Sequence, residues 1–216
     1  MKITIFSDVH GDIYSLEKLF DVESSDLYIC LGDLVGYGPH SNACIDLAID
    51  KCGIDNIIMG NHEDMYIKGQ AHSSCSSIAK KFFSISYQLY KEDKRIQFFN
   101  MEKSLVVPKL EVEYILTHTV DNMHVYPNSI LDNIDNNYII GHSHIQFFKR
   151  IGQVNCVANV GSLGQNRQSK GVANYVNFYL ADGTMEFKSF YSPKDRLIKD
   201  MLNMRYDSEL LRYYES

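Results

Sequence analysis

Ile3-Thr4-Ile5-Phe6-Ser7-Asp8-Val9-His10 opens the chain after its first two residues, and the rest can be read outward from it. β-branched and aromatic residues fill positions 3–6, as in a buried strand, and the run stops at Asp8 and His10, both good metal ligands. The same pattern recurs four times. Gly32-Asp33 follows Leu27-Tyr28-Ile29-Cys30-Leu31, and Gly60-Asn61-His62-Glu63 follows Ile57-Ile58-Met59. Thr117-His118 follows Tyr114-Ile115-Leu116, and Gly141-His142-Ser143-His144 follows Tyr138-Ile139-Ile140. Five apolar runs that end in Asp, Asn or His describe strands delivering ligands to the carboxyl edge of a sheet, where open α/β sheets bind.

Between these runs the periodicity alternates. Residues 2–7 read as a strand, and Asp12 can cap a helix through about Phe20 that buries Leu16, Leu19 and Phe20. A strand over 27–31, a helix over 41–51 and a strand over 56–59 follow. Residues 73–100 carry Ile78, Phe82, Phe83, Ile85, Leu89, Ile96 and Phe99 at helical spacing. The second half predicts strands near 104–107, 111–117, 137–140, 145–151, 154–159, 173–180 and 184–190, with Asp182-Gly183 as a hairpin turn. Strand–helix alternation followed by hairpins predicts an α/β sandwich of two mixed sheets with helices outside. The expected domain covers residues 1–192. Residues 193–216 form a helical tail packed on it, whose apolar stripe could alternatively serve a homodimer.

The chain has 216 residues, enough for one domain with a sizeable core. Its net charge of −6 argues against a broad basic face for nucleic acid. Five cysteines, an odd number without a CxxC pair, fit a reducing compartment better than a disulfide framework. The first apolar run ends at Ser7-Asp8, too early for a secretory signal, and no window offers the roughly 18 apolar residues of a spanning helix. A soluble, cytoplasmic protein with no membrane partner is expected.

Asp8-x-His10, Gly32-Asp33, Gly60-Asn61-His62-Glu63, His118 and Gly141-His142-x-His144 together resemble the motifs of the calcineurin-like metallophosphoesterase superfamily, in its order. Two further stretches, Gly32–Pro39 and Asn159–Gln165, resemble a small bacterial cytoplasmic, phosphodiesterase-like subgroup. The resemblance implies a four-layer αββα sandwich with two metals at the strand ends. It assigns Asp8, His10 and His144 to one metal, Asn61, His118 and His142 to the other, and Asp33 as the bridge. His62 is implied as the catalytic group that protonates or steadies the leaving oxygen, a task suited to its near-neutral pKa. Glu63 reads instead as a helix-start or supporting residue.

Two divalent cations bring four positive charges and the two aspartates return two, leaving about +2, or about +1 with a bridging hydroxide. That surplus favours an anionic phosphoryl group. The donor set is all nitrogen and oxygen, which suits Mn²⁺ and is compatible with Fe, Zn²⁺, Co²⁺ or Ni²⁺.

One departure bears on substrate. Protein Ser/Thr phosphatases of the superfamily carry Asp and Arg where this chain has Gly36 and Tyr37, which counts against phosphoprotein. Arg167 could replace the missing phosphate contact, with backbone amides of the Gly161–Gly164 loop beside it. His40, after Gly38-Pro39, could line the pocket, so Asn61, Arg167, His40 and Tyr37 are the candidate substrate contacts. His72 reads as solvated, and His124 sits in a polar loop that could form a lid, with no pattern to support it. The implied reaction is hydrolysis of a small soluble, nucleotide-like phosphodiester by a metal-bridging hydroxide. Phosphomonoester or dinucleoside polyphosphate hydrolysis is the alternative within enzymes. A non-enzymatic scaffold like the retromer subunit of similar fold is the alternative outside them.

Overall fold

Alternation along the first strand sends Ile3 and Ile5 to one face and Phe6 to the other, and all three are fully buried. A strand covered on both sides belongs inside a layered sandwich, and the computed structural model shows one, describing residues 1–131 and 134–215. Its first half runs β1 (Lys2–Phe6), α1 (Ile13–Val22), β2 (Leu27–Cys30), α2 (Ser41–Cys52), α3 (Asn61–Lys68) and α4 (Ser77–Leu89). Then come β3 (Glu102–Val107), β4 (Val112–Thr117), β5 (Asn137–Ile140), β6 (Phe147–Ile151) and β7 (Asn155–Asn159). The chain closes with β8 (Val172–Tyr179), β9 (Thr184–Tyr191), α5 (Lys194–Asn203) and α6 (Ser208–Glu215).

Two mixed sheets form, ordered β2-β1-β8-β9 and β3-β4-β5-β7-β6. In the first, β1 pairs with β2 in parallel and with β8 antiparallel. In the second, β4, β5 and β7 run parallel while β3 and β6 pair antiparallel at either side. Ile3, Ile5, Ile29 and Val176 of one sheet meet Leu105, Leu116 and Ile139 of the other, so the sheets stack face to face. Each such buried aliphatic side chain contributes about 1.5–3 kcal/mol. Helices α1 and α2 cover the outer face of the first sheet, packing Leu16, Leu19, Cys44 and Ile45 around Phe6 and Cys30. Val120, Val125 and Leu131 pack over Ile140 and Val157 on the outer face of the second. The architecture is therefore the expected α/β arrangement of two mixed sheets flanked by helices.

Local chemistry sets several boundaries. Asp12 caps α1, accepting from the Ser15 backbone N–H at 3.0 Å. Asp182-Gly183 turns β8 into β9, with Gly183 at φ 74°. The strand expected over 56–59 does not form. A 3-10 turn at Ile54–Asn56 leads into single bridges, Cys30 with Ile57 and Ile58 with Asn100. The helical pattern over 73–100 is also interrupted. Ser76 caps α4, but Tyr90 turns extended at ψ 128°, and only a 3-10 turn, Lys94–Phe98, follows. The apolar stripe of the tail is buried within the chain: Leu197, Met201, Leu210 and Tyr214 pack with Phe82 and Tyr37. Among the described residues no helix is long and apolar enough to cross a membrane.

Candidate metal centre

Past the ends of β1 and β2 the two chains stay zipped: Asp8 N–H donates to Gly32 O at 3.0 Å and His10 N–H to Asp33 O at 2.9 Å. This brings the first two motifs side by side. His118 follows β4, and His142 and His144 follow β5 in the facing sheet. Two residues that flank a third normally share one strand face, yet each pair here lies beyond its strand in a left-handed backbone. Among the described residues ten non-glycine residues have positive φ, and five are candidate ligands: Asp8 (55°), His10 (52°), Asp33 (55°), His142 (69°) and His144 (59°). Such residues cost about 1–3 kcal/mol each and gather where function requires them.

The donor atoms converge in two groups that share Asp33. Asp8, His10, Asp33 and His144 form one and Asp33, His118 and His142 the other, with donor atoms within 4.8 Å of one another in each. His144 Nε2 lies 3.1 Å and His10 Nε2 3.7 Å from Asp8 Oδ1. His118 Nε2 lies 3.3 Å from Asp33 Oδ2, 3.1 Å from Asn61 Oδ1 and 3.1 Å from His142 Nδ1. All seven residues that the sequence singled out are thus brought to one place.

Supporting contacts fix the tautomers. Nδ1 of His10, His118 and His144 each faces a backbone carbonyl, of Val35 (3.2 Å), Leu31 (2.7 Å) and Gln165 (3.0 Å). An Nδ1–H donated to a carbonyl leaves Nε2 with its lone pair turned to the cluster. His10 Nε2 and His144 Nε2 then oppose each other at 3.1 Å, acceptor against acceptor. Buried Asp8 Oδ1 has no hydrogen-bond partner among the described residues. A cation between these atoms satisfies all of them, so the residues fit a metal. The field agrees. Burial would lower the pKa of His118, but the Asp33 carboxylate outweighs it and lifts it to about 10, so Asp33 favours positive charge at His118 Nε2, either a proton or a cation in its place. Burial and His118 together push His142 down to about 3.

Glu63 braces the centre. Its fully buried carboxylate accepts from the backbone N–H of Gly60 (2.8 Å), Asp33 (2.8 Å), Leu34 (2.8 Å) and Val35 (3.2 Å), joining the start of α3 to the Asp33 loop. The Asn159–Gln165 loop braces the other side. Ser162 Oγ and Gly164 N–H both donate to Asp8 O. Amides in the Gly161–Gly164 loop that could have served a phosphate are therefore engaged: Leu163 N–H donates to Ser7 O, and Gly161 N–H to Asn159 Oδ1.

His62 sits beside the cluster, its ring 4.7 Å from that of His10 and 5.1 Å from that of Tyr37. Its backbone N–H donates to Asp33 Oδ1 at 2.8 Å, and burial pushes its pKa down to about 3. Its Nδ1 is buried without a hydrogen-bond partner among the described residues. Gly36 lies directly against it: a Cβ there would come within 2.3 Å of Nδ1, and φ is +93°. The glycine that replaces the phosphatase aspartate is thus a steric requirement of this site, which sequence reasoning did not reveal.

An open cavity of about 660 Å³ leads outward from His62, His142 and His144, with Asn61, Tyr37 and Arg167 in its wall. His40 is not brought there. It precedes α2, and its Nε2 lies 3.0 Å from Asp200 Oδ2 on α5. His72, expected to be solvated, is exposed yet lies at the cavity rim. Lys68 and Tyr126 also line it, neither of them singled out from the sequence, and so does His124, whose loop the sequence offers as a lid without a pattern to support it.

The calcineurin-like phosphoesterase family matches residues 1–172. An uncharacterized protein of Methanocaldococcus jannaschii is 23% identical over 212 residues, covering 85% of each chain. The crystal structure of a metallophosphoesterase from Sphaerobacter thermophilus superposes with a TM-score of 0.80 at 18% identity, over 100% of this chain and 98% of that one. A hypothetical protein of Pyrococcus horikoshii OT3 superposes with a TM-score of 0.77 at 11% identity, over 98% and 96%. The two structural likenesses speak to fold, while the family match over residues 1–172 spans most of the chain: the protein belongs to the calcineurin-like phosphoesterases.

Proposed function

We propose that this metal-dependent phosphoester hydrolase acts on a small soluble phosphodiester with a nucleotide-like organic half. Asp8, His10 and His144 would hold one divalent cation, and Asn61, His118 and His142 a second, with Asp33 shared and Mn²⁺ preferred at both. Bound there, the cations would neutralise phosphoryl charge and lower the pKa of water. The observation that carries this reading is the set of opposed acceptor atoms around Asp33 and Asp8, a cage that a cation would satisfy.

The chain's own groups supply the remainder. His62 lines the cavity beside the cage; burial holds it neutral at pH 7, with a pKa well below the near-neutral value expected from sequence, so it can steady a leaving oxygen by donating an N–H hydrogen bond. Arg167 lines the same cavity, and its guanidinium has no partner among the described residues, so it is available to an anion. The cavity suits a metabolite-sized ligand rather than a protein surface. All five cysteines are free, which supports a reducing, cytoplasmic setting.

The test is Mn²⁺-stimulated hydrolysis of bis(4-nitrophenyl) phosphate beside 4-nitrophenyl phosphate, in wild type and His62→Ala. The diester should be turned over faster, and the variant should lose about 10²–10⁴-fold in kcat. Turnover of neither ester by metal-loaded protein would defeat the hydrolase reading, and a much faster monoester would reverse the diester preference.

A further inference from the structure

The segment after His118 closes one side of the cavity and is built rather than loose. Val120 and Val125 are buried anchors on the second sheet. Between them Asp121 (φ 51°) and Asn122 (φ 57°) adopt the left-handed backbone that turns the chain sharply back, and Met123 N–H closes the turn on Val120 O at 2.9 Å. The turn directs two rings to the cavity. His124 stacks on His142 with centroids 4.0 Å apart and planes 23° apart, and Tyr126 lies nearly parallel to His124, at 13° and 6.2 Å. Neither the ring nitrogens of His124 nor the Tyr126 hydroxyl has a hydrogen-bond partner among the described residues, although both side chains line the cavity.

Three rings close to one orientation, the innermost being the candidate metal ligand His142, form a stack that starts at the phosphoryl site and runs outward, and a flat ligand ring can join it face to face. We infer that His124 and Tyr126 form the seat for the organic half of the substrate and select esters in which that half is a flat aromatic ring, a nucleobase above all. This rests on the phosphoesterase reading and names the part of the cavity that gives it specificity. Flat rings gain from stacking on aromatic side chains whatever their edge pattern, so the seat selects for a ring without selecting which base. The unpaired Arg167 in the same wall leaves the phosphate end to cationic groups and the ring end to the stack.

Adenosine 5′-monophosphate and ribose 5-phosphate share the phosphate and sugar and differ in the base, so they isolate the stack. Calorimetric titration of the Mn²⁺-loaded full chain should show the adenine compound bound about tenfold more tightly. In a His124→Ala/Tyr126→Ala double variant the adenine compound should weaken by about tenfold while ribose 5-phosphate moves less than about threefold. His124→Phe, which keeps a ring over His142, should retain the preference. Equal affinities in wild type would overturn the inference. So would a parallel loss of both ligands in the double variant, which would reduce His124 to a support for His142. An enzyme that hydrolyses esters but ignores the base loses this inference alone, whereas one that binds both compounds and hydrolyses no ester loses the proposed function.

Discussion

Four backbone N–H groups converge on the Glu63 carboxylate, and three of them, from Asp33, Leu34 and Val35, belong to the loop that carries the shared ligand. Glu63→Gln replaces one acceptor oxygen with an NH₂ that must face an N–H donor. Leaving a buried donor unmet costs about 1–3 kcal/mol, and shifting a residue that orients a metal ligand typically costs about 10–100-fold in affinity. The variant should therefore melt earlier and bind Mn²⁺ at least about tenfold more weakly by calorimetric titration; unchanged Mn²⁺ affinity would show that the Asp33 loop holds itself. Gly36→Ala tests the neighbouring contact. Its methyl would meet His62 Nδ1 at 2.3 Å, and the ring must move because the backbone at φ +93° has little freedom. Turnover of bis(4-nitrophenyl) phosphate should fall about tenfold or more with Mn²⁺ affinity preserved, since a displaced catalytic group acts on kcat. Full turnover would mean that His62 tolerates displacement and has no precise role. Gly36 reads in sequence only as a missing aspartate, because the contact that requires it spans two motifs that the chain keeps far apart.

The first sheet is tied to α1 by a polar cluster remote from the metal centre. Glu23, at the end of α1, accepts from Tyr175 Oη at 2.9 Å and Asn177 Nδ2 at 3.0 Å on β8, and from Lys2 Nζ on β1. Burial pushes its carboxyl pKa up, but these three donors outweigh it, and the net value lies below the usual one. A carboxyl depressed in the folded state stabilises the fold above the unfolded pKa of about 4.3 and loses that contribution as pH falls through its folded value. Wild type should therefore exceed Glu23→Gln in denaturant stability by about 1–3 kcal/mol at pH 7, and the gap should close below about pH 4. A gap independent of pH would mean that the charge does not matter. None of this cluster was legible beforehand, since Glu23, Tyr175 and Asn177 meet only once β8 is laid antiparallel to β1. Elements whose signal is local fared better. Asp12 as a cap, Asp182-Gly183 as a turn and the runs before each motif needed only their neighbours in sequence. The segment 56–59 misled because an apolar run without a continuous partner yields bridges rather than a strand.

At the scale of the whole molecule, both sheets deliver ligands to a single edge. The motifs were readable because every one ends an apolar run, whereas the aromatic wall of His124 and Tyr126 was not, because its place depends on how a loop folds back over the second sheet. That convergence gathers at one edge groups that a cation would satisfy: opposed nitrogen lone pairs and an Asp8 oxygen with no hydrogen-bond partner among the described residues, carried by ligands of which five lie in left-handed backbone. A cation that binds only the folded chain stabilises it by RT ln(1 + [M]/Kd), about 2.7 kcal/mol at a hundredfold excess. For a chain of this size that corresponds to about 5–10 °C in Tm. Mn²⁺ added to chelator-stripped protein should raise the melting temperature by that amount in differential scanning calorimetry. Asp33→Asn, which removes the one carboxylate shared by both donor groups, should keep the fold and lose most of the rise. If the variant rises as far as wild type, Asp33 is not the shared ligand, and the metal is held without it.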